Sequence, residues 1–94
     1  MKNLLKNRAS VNQNSISETD VVFLLNEQNE DLFAYFPNEN YDSKGLLKTS
    51  YSHIGQHSAC SPEYAAESRK ATQKEYEGLK QELEQIGYLL NILN

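Results

Sequence analysis

Two short runs, Val21-Val22-Phe23-Leu24-Leu25 and Leu32-Phe33-Ala34-Tyr35-Phe36, constrain the fold of this chain more than any other feature. Both are rich in β-branched and aromatic residues and are bounded by polar ones, the pattern of strands. Neither alternates between apolar and polar positions, as a strand with one face in water does. Each is therefore expected to be covered on both faces or to be short and central. The polar connection Asn26–Asp31 suits a hairpin with a longer loop. Pro37 is expected to stop the second run, because it has no N–H for a sheet ladder.

The rest of the chain is read from that pair. Pro37–Gly45 is turn-rich and polar. A third strand is expected over Leu46–Tyr51, with Leu47, Thr49 and Tyr51 on one side and Leu46, Lys48 and Ser50 on the other. Ser61-Pro62-Glu63 begins a short helix: Ser61 caps, Pro62 fits the first helical position and Glu63 suits the positive end of the dipole. Thr72-Gln73-Lys74-Glu75 has the spacing of a capping box and opens a longer helix. In that helix Tyr76, Leu79, Leu83 and Ile86 form one apolar stripe, with Glu77, Lys80, Gln81 and Glu84 off it. Gly87 ends it in a left-handed conformation. Tyr88–Leu93 reads as a closing strand with Tyr88, Leu90 and Ile92 on one face. The expected architecture is α+β, in the order β-β-β-α-α-β. It has a small antiparallel-type sheet of three to four strands and both C-terminal helices on one face. Residues 1–19 read as a disordered polar tail and 20–94 as a single domain.

Bulk properties exclude several function classes. The formal net charge is −4 over 94 residues, which disfavours nucleic acid and anionic membranes as partners, since both call for a basic face. A single cysteine excludes an internal disulfide framework and fits a reducing compartment. The start, Met1-Lys2-Asn3-Leu4-Leu5-Lys6, lacks the apolar core of a secretory signal, and no run approaches a membrane span. A cytoplasmic location is expected. A folding part this small gains from extra burial, so a homodimer is an open option.

The chemistry-bearing residue types converge on one stretch, Ser50-Tyr51-Ser52-His53-Ile54-Gly55-Gln56-His57-Ser58-Ala59-Cys60-Ser61-Pro62, which holds both histidines and the cysteine. His53, His57 and Cys60 suit zinc in ligand type, but a structural site takes four ligands, so no metal or cofactor is expected. Cys60 near a helix start and two histidines is a weak nucleophile candidate, because a lone cysteine is more often a small buried hydrophobe. No catalytic residue is assigned. An anion-binding pocket suits the residues better. Ser50, His53, Gln56, His57 and Ser58 supply donors, Gly55 lets a ligand approach the backbone, Tyr51 or Tyr64 stacks on a base, and Ser61 opens the helix whose N–H groups face the ligand. The plainer alternative is a packed junction in which Gly55 makes a turn and the polar side chains satisfy backbone groups.

The spacing Tyr51-x-His53-x-Gly55-Gln56-His57, with Ala71–Tyr76, Leu79, Glu82-Leu83 and Ile86-Gly87-Tyr88 after it, resembles a family of short uncharacterised bacterial proteins found in prophages and other mobile elements. The likeness spans about residues 21–93 and includes an apolar run ending at a proline, here Leu32–Pro37. The family brings no activity with it. What it implies is an accessory binding protein that contacts, and in that way inhibits, a component of the host. A small phosphorylated ligand held by residues 50–61 is the alternative partner, and a metal-dependent hydrolase the third.

Overall fold

The computed structural model describes residues 18–52 and 56–94. The elements are β1 (Thr19–Asn26), β2 (Asp31–Asn40), β3 (Lys48–Ser52), β4 (Gln56–Cys60), α1 (Pro62–Ala66), β5 (Arg69–Lys70), α2 (Gln73–Gln85) and β6 (Leu90–Ile92). The class is α+β, as expected, but the sheet has six strands rather than three to four. Its order is β4-β3-β2-β1-β5, with β6 also on β1. All pairings are antiparallel except that of β6, which runs parallel to β1. β2 runs past Pro37, the expected stop, to Asn40, its ladder with β3 shifting register between Phe36 and Asn40. The disordered tail expected over 1–19 falls on residues outside the described ones, apart from Glu18 and Thr19, and Thr19 already belongs to β1.

The unbroken apolar runs have the two-sided cover they call for. Val21 and Phe23 of β1 and Ala34 and Phe36 of β2 join Tyr51 of β3 under Tyr76, Leu79 and Leu83 of α2. The alternate residues, Leu24 of β1 and Phe33 of β2, join Cys60 on the opposite face, packed by Tyr64 and Ala65 of α1. The helices therefore lie on opposite faces, which corrects the expectation that both share one. The reason is β5. Arg69 and Lys70 pair with Leu25 and Leu24 along the edge of β1, so the chain leaves α1 on one face, passes the sheet edge and enters α2 on the other.

α2 forms where its sequence says it should. Thr72 Oγ1 accepts from Glu75 N at 3.3 Å and Glu75 Oε1 accepts from Thr72 N at 2.8 Å. The Phe23 and Tyr76 rings stack at 4.4 Å, a contact contributing about 0.5–1.5 kcal/mol beyond the area it buries. The helix closes in a Schellman turn. Tyr88 N donates to Leu83 O, Gly87 N donates to Glu84 O, and Gly87 takes a φ of +113°. Ile86, expected on the buried stripe, is the C-cap and stays 54% exposed, because the helical spacing that buries Leu83 ends with the helix at Gln85.

One edge of β1 is completed by three separate pieces. Thr19 N donates to Leu89 O and Leu93 N to Val21 O on the β6 side, while Ala71 N donates to Phe23 O just after β5. The gap between them is filled by a side chain. Asn94 Oδ1 accepts from Phe23 N at 2.8 Å, and Asn94 Nδ2 donates to Phe23 O at 2.8 Å and Ala71 O at 3.0 Å. The carboxamide presents the donor and acceptor of a peptide group, so it continues the ladder where no strand residue stands.

Candidate functional site

The stretch singled out in the sequence folds as the β3–β4 hairpin. In its register Tyr51 lies opposite His57 and Ser50 opposite Ser58. Successive strand residues point to opposite faces, and Tyr51 is buried in the α2-side core. Tyr51 and His57 therefore share the α2 face, while Ser50, Ser58 and Cys60 share the α1 face. Of the expected ligand-binding residues that are described, Ser50 and Ser58 lie on one side of the sheet and Tyr51 and His57 on the other.

On the α2 face the polar groups engage each other. Tyr51, 1% exposed, donates its hydroxyl to Glu82 Oε2 at 2.5 Å. That bond, helped by burial, pushes the Tyr51 pKa up to about 12. His57 Nε2 lies 2.7 Å from Tyr88 Oη, and the Tyr51 and His57 rings meet edge to face at 4.8 Å. Tyr88 in turn stacks on Phe36 at 5.3 Å, and burial together with the nearby Glu39 carboxylate raises its pKa. Both phenols thus hold their protons at neutral pH. Neither phenol is therefore a phenolate nucleophile at neutral pH.

On the α1 face Ser50 Oγ donates to Ser58 O at 3.1 Å and lies 3.2 Å from Ser58 Oγ. Ser61 caps α1 as expected, accepting from Tyr64 N at 3.1 Å through Oγ. That acceptor and the Ala65 N bond to Ser61 O satisfy two N–H groups of the first turn within the chain. Tyr64 accepts from Asn29 Nδ2 at 3.2 Å and donates to Asp31 Oδ2 at 2.9 Å, tying α1 to the β1–β2 hairpin. Its hydroxyl is committed to that tie and its ring packs on Phe33. Burial, with Asp31 adding to it, pushes the Cys60 thiol up, which keeps it a protonated thiol rather than an activated nucleophile. His57 and Cys60 are three apart in a strand, so they face opposite ways and cannot chelate one ion together.

His53 and Gly55 lie outside the described residues, as does the side chain of Gln56, whose backbone pairs with Ser52. Among the described residues there is no pocket and no group of three metal-capable side chains. Two partners escaped the sequence reading. Glu82 sits beside Leu83 on the flank of the helix stripe, where a carboxylate can reach a buried phenol. Tyr88 packs on the same core as Leu90 and Ile92, and its hydroxyl reaches the His57 imidazole. No protein-family model, curated protein sequence or solved structure matches the chain.

Proposed function

We propose that this chain is a small non-enzymatic accessory binding protein of a phage or other mobile element, acting by contact with a host protein. One observation carries the contact reading. Leu89 and Leu93 are 48% and 42% exposed although the core beside them is complete. They flank β6, whose Leu90 and Ile92 pack into the α2-side core, so strand alternation turns Leu89, Asn91 and Leu93 to the other side. Asn91 Nδ2 donates to Asp20 Oδ1 at 2.8 Å. The result is a short apolar–polar–apolar row, with Ile86 exposed at the nearby helix end. Large apolar side chains around a polar centre suit a protein partner.

The placement of Ser50 and Ser58 on one face and Tyr51 and His57 on the other favours this reading over capture of a phosphorylated ligand by that stretch. The mobile-element origin rests on the Tyr51–His57 spacing, and a cytoplasmic setting on the single cysteine. The test is capture from bacterial lysate with the tagged full chain. The Leu89→Asp/Leu93→Asp double variant is expected to lose the captured protein, and His57→Ala to keep it. The reverse result overturns the proposal, and thermal stabilisation by ATP or inorganic phosphate moves the assignment to the ligand reading.

A further inference from the structure

We infer that the outer edge of β4 is a self-pairing surface, to which β4 of a second copy adds antiparallel so that two sheets join into one. Among the described residues β4 pairs only with β3 and stands at the end of the sheet. An unpaired edge presents a row of backbone donors and acceptors, and proteins that stay apart blunt such edges with charge, proline or a bulge. The opposite edge is blunted by charge on β5 and by shortness on β6, which is only three residues long. There β5 is Arg69-Lys70, β6 covers the start of β1, and Asn94 fills the gap at Phe23. β4 has none of these devices. Gln56-His57-Ser58-Ala59-Cys60 contains no charged residue and no proline, and its register with β3 is unbroken from Gln56 to Cys60.

The second copy is the occupant that these features favour. A two-fold axis through paired edge strands makes them antiparallel and brings each edge against itself. A chain of net charge −4 meets its own copy here without like charges at the contact. The exposed side chains of Ser58 and Ala59 stand off the two faces of the sheet, so the edge itself is lined by backbone groups. A five-residue edge falls in the class of small, transient interfaces below about 1,200 Å², so association is expected only at high concentration.

Sedimentation equilibrium of the full chain over roughly 10–500 µM, a span that reaches transient interfaces, tests the inference. The wild type is expected to rise from the mass of one chain towards two. Ala59→Lys places like charges across the paired edges and is expected to stay at one chain, with an unchanged circular dichroism spectrum. Leu89→Asp/Leu93→Asp is expected to associate like the wild type. A wild type that remains a single chain throughout, or an Ala59→Lys variant that associates equally well, overturns the inference. So does association abolished by the Leu89/Leu93 changes alone, which would place the interface at β6.

Discussion

Replacing Tyr51 with Phe removes one oxygen from the α2-side core and nothing else of its shape. The ring remains buried against the sheet and α2, so the change isolates the bond to Glu82 at 2.5 Å. A hydrogen bond to a charged group contributes about 1.5–3 kcal/mol. Glu82 is half-buried and has further interactions, so its carboxylate is not stranded and the lower part of that range applies. A loss of about 1.5–2 kcal/mol corresponds to a fall in Tm of roughly 6–16 °C for a domain of this size. Urea unfolding at pH 7 measures it as a lower midpoint with an unchanged slope. The pH dependence provides a second reading. The folded-state pKa of Tyr51 is raised from 10.0 to about 12, so its contribution is fully present below the unfolded value. It is lost as pH rises through the folded value. The wild type should therefore lose its advantage over Tyr51→Phe between about pH 10 and 12. Equal stability of the two proteins at pH 7, or a difference that persists undiminished above pH 12, would refute the reasoning.

Asn94→Ala should destabilise by about 1–3 kcal/mol, because Phe23 N–H loses its partner. Asn94→Asp should fail to restore this in urea unfolding at neutral pH, since an ionised carboxylate cannot donate to Phe23 O and Ala71 O. Glu75 is held down to about 2 by Arg69, which binds it through two bonds of 2.8 and 2.7 Å, and then by the Thr72 backbone. Its contribution is present above the ordinary carboxylate value and is lost as pH falls from about 4.5 to about 2. Acid titration of Glu75→Gln should lack that part of the transition. Cys60 is buried with a raised pKa, so a thiol reagent should label the native protein much more slowly than the urea-unfolded chain.

The elements that were legible in the sequence are those specified by their own residues. Thr72, Glu75 and Gly87 punctuate α2 locally, and Tyr76, Leu79 and Leu83 mark its buried face at helical spacing. The apolar runs of β1 and β2 call for cover on both faces, and Tyr88, Leu90 and Ile92, expected on one face, all pack against the same core. β4 was not legible because Gln56-His57-Ser58-Ala59-Cys60 has no Val, Ile, Thr, Phe, Tyr or Trp, the residues that favour strands. Its strand conformation comes from pairing with β3, a tertiary effect that overrides propensity. β5 is only two charged residues long, too short for any period, yet it carries the chain from one face to the other. That crossing decides where both helices lie. Within the candidate stretch, which of the described side chains share a face is hidden for the same reason. A turn would gather Ser50, Tyr51, His57 and Ser58, whereas a hairpin sends alternate members to opposite faces, and only the pairing register distinguishes the two.

The division of that stretch is the centre of the account, and side-chain NOEs test it most directly. Tyr51 and His57 are predicted to show NOEs to one another, with Tyr51 also reaching the apolar residues of α2 and His57 reaching Tyr88. Ser50 and Ser58 are predicted to show NOEs to each other but not to the His57 ring. NOEs joining Ser50, Ser58 and the His57 ring around one point would contradict the account and restore a single site in the 50–61 stretch.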